Sequence, residues 1–197
     1  MLSNILSGIP IVLGSQSPRR RELLTKMGLT FEVIVNETDE SFDASQSPEA
    51  IVKHIAVQKI KGFSSEAFKD ALVITADTVV VLGERQILGK PKDALEALTM
   101  LRKLQGGTHR VMTAVAIQYQ GRLSSFVEVT EVTFYALSEA ELQFYIKQDR
   151  PFDKAGGYGI QEWIGFVGIQ SIKGSYENVV GLPTARLYQE LKKLGAQ

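Results

Sequence analysis

The sequence predicts an α/β protein built on a mixed β-sheet, and two observations carry that expectation. Apolar, β-branched runs of strand length alternate with segments of helical period along the 197 residues. Near the middle, two long strand-like runs, Arg110 to Tyr119 and Arg122 to Ala136, flank the pair Gln120-Gly121 as a hairpin. Interleaving asks for parallel strands and a hairpin for antiparallel ones, so the sheet is mixed rather than a pure βαβ array. Hydrophobic residues make up 44% and charged residues 22%, a balance that excludes disorder and supplies one core-forming domain.

Taken in order, Ile9 to Leu13 reads as a short buried strand that breaks at Gly14-Ser15-Gln16-Ser17-Pro18. Ser17 followed by Pro18 starts a helix, the hydroxyl capping it and proline taking its first position; Gly28 ends it after Met27. Phe31 to Val35 is a second strand, and the acidic stretch Asn36 to Gln46 a loop. Ser47-Pro48 opens a helix to about Lys61 that buries Ile51, Val52 and Ile55. Ala71 to Ala76 is a continuous apolar run, expected as a central strand continuing through Val79 to Leu82 before Gly83-Glu84 turns it. Asp93 and Glu96 form a capping box ahead of Leu95, Leu98, Leu101 and Leu104, and Gly106-Gly107 ends that helix. A second box, Ser138 with Glu141, opens a helix to about Gln148. Pro151 to Gln161 is glycine-rich, Phe166 to Ile172 suggests a strand, and Pro183 to Leu194 a final amphipathic helix.

Composition excludes several classes of function. Lys and Arg number 22, as do Asp and Glu, so there is no global positive field for nucleic acid or for an anionic membrane surface. Any polyanion must be met by a local cluster of cations. The absence of cysteine excludes a disulfide scaffold, a thiolate zinc site and a cysteine nucleophile, and suits a reducing cytoplasm. Two histidines, His54 and His109, exclude a histidine-rich metal site. The N-terminus lacks the basic region of a signal peptide, and no run reaches ~18 apolar residues.

Three segments can carry chemistry. Ser15-Gln16-Ser17-Pro18-Arg19-Arg20-Arg21 places three arginines at the positive end of a helix dipole, where cations are unfavourable. A bound phosphate chain would offset them through the forked arginine donors; a solvated basic turn is the alternative. Asp77 interrupts an apolar strand, where a lone carboxylate is costly unless it is paired, binds a divalent ion or works as a base; a bend with local amide hydrogen bonds is the alternative. In Asp153 to Gln161, three glycines in four positions allow close approach of the backbone, and Gln161 offers a donor and an acceptor to a base edge. Thr38-Asp39-Glu40 could add a carboxylate to a metal site but reads by itself as a solvated acidic loop; Lys59 and Lys90 could each reach a phosphate or simply be solvated. His109 reads as structural, and Asn178 as a helix-start or loop anchor.

Five motifs stand together in order: Ser15-Gln16-Ser17-Pro18-Arg19-Arg20, Ala76-Asp77-Thr78-Val79-Val80, Gly89-Lys90-Pro91, Lys154-Ala155-Gly156-Gly157-Tyr158-Gly159-Ile160-Gln161, and Ser175-Tyr176-Glu177-Asn178-Val179-Val180-Gly181-Leu182-Pro183. In this order and spacing the sequence resembles the Maf family of nucleoside triphosphate pyrophosphatases, from about Ile11 to Leu194. The resemblance implies the elongated mixed sheet with flanking helices and a central cleft of the Maf and inosine-triphosphatase-like group, as one domain with two lobes. It implies hydrolysis of a nucleoside triphosphate to the monophosphate and pyrophosphate with Mg²⁺ or Mn²⁺, in the cytoplasm, clearing non-standard nucleotides. The family's proton acceptor falls on Asp77, its acidic and lysine positions on Glu40, Lys59 and Lys90, and its subfamily positions on Arg19, Thr78 and Gln161. Arg, Thr and Gln match the branch acting on dTTP and UTP; the 7-methyl-GTP branch typically has a bulky residue, Gln and Glu. The expected substrate-binding set is Ser15, Arg19, Arg20, Lys59, Thr78, Lys90, Lys154 and Gln161, with Glu40 and Asp77 on the metal. A nucleotide-binding regulator tied to cell division is the non-catalytic alternative, a pyrophosphatase for a modified nucleotide such as 7-methyl-GTP is the alternative among enzymes, and a homodimer is left open. The chain departs from the family pattern at Gly14, where Ala is usual, and at Gly157, where Ala or Ser is usual.

Overall fold

The computed structural model describes residues 2–39 and 41–194. Among these, β1 (Ile11–Leu13), β2 (Glu32–Val33), β3 (Leu72–Leu82), β4 (Gln86–Leu88), β5 (Thr108–Tyr119), β6 (Arg122–Phe134) and β7 (Ile169–Lys173) form a sheet in the order β2-β1-β3-β5-β6-β7, with β4 beside β3. β1 runs parallel to β2 and to β3, Leu13 facing Val33 on one side and Ile74 on the other; β4 and β7 are antiparallel to β3 and β6. The sheet is mixed, as the interleaving and the hairpin require. At the hairpin tip Gln120 has φ 48° and Gly121 φ 73°, the two positive values of a two-residue turn whose twist suits the strands.

The chain divides into two compact units. The first comprises the described residues up to Asp77, Thr113–Glu128 and those from Gly181; the second comprises Thr78–Met112 and Val129–Val180. The first unit packs helices α1 (Leu2–Ile5), α2 (Pro18–Lys26), α3 (Pro48–Lys61) and α8 (Thr184–Leu194). Its core joins Leu13, Leu24, Leu72, Ile74, Leu187 and Leu191. The second holds α4 (Ala94–Leu104), α5 (Glu139–Asp149), α6 (Trp163–Gly168) and α7 (Tyr176–Val180). Its core joins Leu101, Leu104, Val132, Phe134, Leu142, Tyr145 and Ile164.

Several elements differ from the sequence reading for identifiable reasons. Residues 2–5 form a helical turn that the reading did not assign, with Leu2 and Leu6 buried on its inner side. Phe166 to Ile172 is not one strand. Gly165 N–H donates to the Glu162 carbonyl (2.9 Å) and closes a helical turn first, leaving Phe166 83% exposed before β7 begins. In α4 the buried stripe is Ala97, Met100, Leu101 and Leu104, and Leu95 is 71% exposed; the stripe obeys helical spacing but is counted from Ala97, not Leu95. Asp93 accepts from Glu96 N–H, yet the Glu96 carboxylate returns to Lys92 N–H, one residue short of the reciprocal box. Ser138 and Glu141 complete theirs.

Candidate active site

The first unit assembles a compact group around the end of β1 and the middle of β3. Gly14 N–H donates to the Ile74 carbonyl (2.8 Å), so the chain leaves β1 pressed against β3. A side-chain carbon on Gly14 would lie 2.7 Å from Thr75 and 2.8 Å from the Phe63 ring, so an alanine here, as in the family pattern, requires those side chains to shift. Ser17 caps α2, accepting from Arg20 N–H (3.4 Å), with Pro18 in the first helical position.

Arg20 turns its guanidinium inward. Nε donates to the Gly181 carbonyl (2.8 Å), and Nη1 donates to the Ala76 carbonyl (2.7 Å) and to Ser15 Oγ (3.2 Å). One fork therefore ties two backbone carbonyls and the Ser15 hydroxyl together, one of the carbonyls belonging to the residue immediately before Asp77. Ser15 is buried and also accepts from Ser17 N–H (3.3 Å), so its hydroxyl organises the turn.

Asp77 sits on β3 with its side chain 16% exposed, and its Oδ1 accepts from Lys59 Nζ at 2.7 Å. Two residues before Asp77, the Thr75 hydroxyl donates to the Ala56 carbonyl of α3 (2.7 Å), about one helical turn before Lys59, and ties that helix to β3. Asp77 Oδ2 accepts no hydrogen bond among the described residues. The costly carboxylate in an apolar strand is thus half satisfied, by a cation, and half open. Arg19 lies half-buried in the first turn of α2.

The second unit arranges a different group. Thr78 is half-buried on β3 directly after Asp77. Lys90 is exposed after β4, and the Gly89 carbonyl beside it accepts from Gly156 N–H (2.9 Å). Gly156 and Gly157 have φ of 71° and 72°, and a Cβ on Gly156 would meet Val80 at 2.9 Å, so the glycine turn lies flat on β3. Lys154 is buried, with its ammonium 2.7 Å from both Asp153 and Glu162. That places Lys154 in an internal ion pair rather than on open surface. Tyr145, fully buried, donates to Glu162 and accepts from Gly159 N–H (2.9 Å); burial, then Glu162, pushes its phenol up. Gln161 follows, half-buried, and its Oε1 is buried without a hydrogen-bond partner. His109 Nε2 shares a hydrogen bond with the Tyr158 hydroxyl (2.7 Å), while burial holds the imidazole down at about 4. Asn178 is a buried anchor in α7, donating to the Val111 carbonyl and to Thr130 Oγ1.

The structure therefore groups Ser15, Arg20, Lys59 and Asp77 in the first unit and Lys154 with the Gln161 segment in the second. Glu40, expected on the metal, lies outside the described residues. Its neighbour Asp39 is exposed and bound to its own loop through Ser41 N–H and Oγ (both 2.9 Å), and those bonds hold its carboxyl below the usual range. Among the described residues no three His, Asp or Glu side chains cluster as a metal cage. Sequence reasoning missed Tyr145 and Glu162. The available signals were a tyrosine on the buried side of α5, which needs a polar partner, and an acid directly after Gln161.

A family model described as Maf-like protein matches residues 10–194. A dTTP/UTP pyrophosphatase of Phocaeicola vulgatus is 47% identical over 195 residues, covering 98% of this chain and 100% of that protein. One from Bacillus cytotoxicus is 48% identical over 182 residues, covering 92% and 94%. Among solved structures, the Ham1 protein of Staphylococcus aureus superposes with a TM-score of 0.52 at 13% identity, over 92% of this chain and 99% of that one, a likeness of fold.

Proposed function

The chain belongs to the Maf family, and from that premise we propose that it hydrolyses dTTP and UTP to the nucleoside monophosphate and pyrophosphate. The observation that carries the reading is the Lys59–Asp77 pair, with one carboxylate oxygen fixed and the other open, on a strand whose preceding carbonyl is held by Arg20. Water attacks the α-phosphorus, the bond to the bridging oxygen breaks, and pyrophosphate leaves. Asp77 Oδ2 orients that water and takes its proton, while Lys59 keeps the carboxylate from rotating. Cleaving a phosphoanhydride asks chiefly for positioning and neutralisation of charge, the work of Arg19 and Lys90 together with the amides at the start of α2.

A divalent cation, Mg²⁺ or Mn²⁺, fits the donor set. The Asp77 carboxylate supplies hard oxygens, Oδ1 keeping a lone pair beside the Lys59 bond and Oδ2 left to the water, and Mg²⁺ in phosphoryl-transfer sites is held by one or two carboxylates plus substrate oxygens rather than by a protein cage. Asp77 and, by the family pattern, Glu40 would hold it. When bound, such an ion polarises the phosphoryl group and neutralises the leaving pyrophosphate.

Choice of base falls to Thr78 and Gln161. Uracil and thymine present an acceptor, a donor and an acceptor in a row, and the partnerless Oε1 of Gln161 is an acceptor for the ring N–H. Cytosine lacks that donor, and one mispaired group costs about tenfold or more. The test is pyrophosphate release from UTP, dTTP, CTP and GTP at subsaturating concentration, with and without Mg²⁺. UTP and dTTP are expected to lead CTP by at least ~10-fold; equal rates refute the reading of the base, and no release from any triphosphate refutes the enzyme in favour of a nucleotide-binding regulator.

A further inference from the structure

Lys154, Glu162 and Tyr145 form a buried polar network, with Asp153 pairing Lys154 at its exposed edge, and the chemistry proposed above does not run through it. Lys154 is 8% exposed and Tyr145 0%. Glu162 accepts from Lys154 Nζ on Oε1 (2.7 Å) and from the Tyr145 hydroxyl on Oε2. The same hydroxyl accepts from Gly159 N–H (2.9 Å), so it both donates and accepts. Glu162 N–H returns to the Gly159 carbonyl (3.0 Å) and closes the turn Gly159-Ile160-Gln161-Glu162. A Cβ on Gly159 would lie 2.7 Å from the Glu162 carboxylate and 2.9 Å from Lys154 Cε, so the network grips the backbone where there is no room for a side chain. On the other side, Gly165 N–H donates to the Glu162 carbonyl and ties the turn to α6. Gln161 is thus held from the residue after it and from two residues before it, and it is the residue whose buried Oε1 has no partner.

We propose that Tyr145 and Glu162, with Lys154, are positioning residues that fix the Gln161 amide and so set the enzyme's choice of base. The proposal rests on the reading of Gln161 given above. A buried ion pair adds little stability over an apolar replacement of the same shape, whereas a fixed, desolvated acceptor discriminates between bases far better than a mobile one, which can be satisfied by water. The network supplies that fixity at the backbone on both sides of Gln161 without touching the base itself.

The test compares kcat and KM for UTP and CTP in the wild type, Tyr145→Phe, Glu162→Gln and Gln161→Ala, with circular dichroism and thermal midpoint as controls for folding. Tyr145→Phe keeps the ring and removes one hydroxyl; Glu162→Gln keeps the shape and removes the charge. Both are expected to lower the UTP:CTP ratio of kcat/KM by about three- to tenfold, the loss of one hydrogen bond. The change should lie in KM for UTP, with kcat within about twofold of wild type, because the phosphate chemistry does not run through these groups. A merely structural role would lower the midpoint and leave the ratio where it was. If Gln161→Ala collapses the ratio while Tyr145→Phe and Glu162→Gln leave it unchanged, the positioning role is overturned and the reading of Gln161 stands. If Gln161→Ala leaves the ratio unchanged, the reading of Gln161 fails and the proposal falls with it.

Discussion

His109 sets up a measurable dependence of stability on pH. Its ring is 2% exposed, stacks 5.5 Å from Phe134 and meets Tyr158, and burial lowers its pKa from 6.5 to about 4. Between those values the unfolded chain binds a proton that the folded chain refuses, so stability rises with pH there and falls on acidification. Integrating between a folded value of about 4 and an unfolded value of 6.5, the loss relative to pH 7 is about 2 kcal/mol at pH 5 and about 3 kcal/mol at pH 4. The assay is urea unfolding of the wild type and of His109→Gln at intervals from pH 7 to pH 4. Carboxylates held low by hydrogen bonds, such as Asp39, Asp43, Glu139 and Glu141, lose their contribution as pH falls below the ordinary carboxylate range, equally in both proteins. The difference between the two curves therefore belongs to residue 109, and it should open between pH 6.5 and 5. Parallel curves through that interval would refute the account, showing that the imidazole either accepts its proton without leaving the core or is not desolvated.

Three further outcomes follow from the geometry. Asp77→Asn, which keeps shape and removes the base, should lower pyrophosphate release from UTP by roughly 100-fold or more; near-normal turnover would take Asp77 out of the chemistry. Arg20→Lys keeps the charge but cannot reach Gly181, Ala76 and Ser15 from one planar group, so urea unfolding should report a loss of about 1–3 kcal/mol, and an unchanged midpoint would show the fork to be dispensable. Gly156→Ala combines a left-handed backbone, φ 71°, with a contact 2.9 Å from Val80, and a cost of about 1–3 kcal/mol is expected in the same assay; a neutral result would mean that β3 yields to the turn.

Much of this was legible because it was written in local chemistry. Ser17-Pro18 and Ser47-Pro48 each read as a cap plus a first-turn proline, and both helices begin there. Gln120-Gly121 read as a hairpin tip because two long strand-like runs flank it, and both residues take positive φ there. The misreadings have a shared cause. Phe166 to Ile172 has strand-like composition, but its fate was decided by a turn closing from Glu162, a contact that propensity does not encode. Leu95 satisfied the helical period as well as Ala97 did, and only the packing partner chose between the two registers. Lys154 stands in the substrate-binding set that the resemblance implies, and its internal ion pairing was not visible along the chain. Its counter-charge, Glu162, lies eight residues on, and the third member, Tyr145, comes from another helix. The sequence offers spacing along the chain, while a network of this kind is a fact about distance across it.

The arginine triplet shows how a correct physical complaint can have an internal answer. Three cations at the positive end of a helix are unfavourable, and something must offset them. For Arg20 the offset is the protein's own carbonyl oxygens, at Gly181 and Ala76, with the Ser15 hydroxyl beside them. Arg20, one of the arginines expected near phosphate, holds the backbone one peptide unit before the carboxylate. This changes what Arg20 can contribute to the reaction. A guanidinium that fixes the Ala76 carbonyl fixes the start of Asp77, while Thr75, through Ala56, fixes the helix that carries Lys59. The two restraints converge on the 2.7 Å ion pair from opposite sides, one on each partner's backbone. The side chains of the pair are 16–18% exposed, so its geometry rests on those two backbone restraints as well as on the ion pair itself.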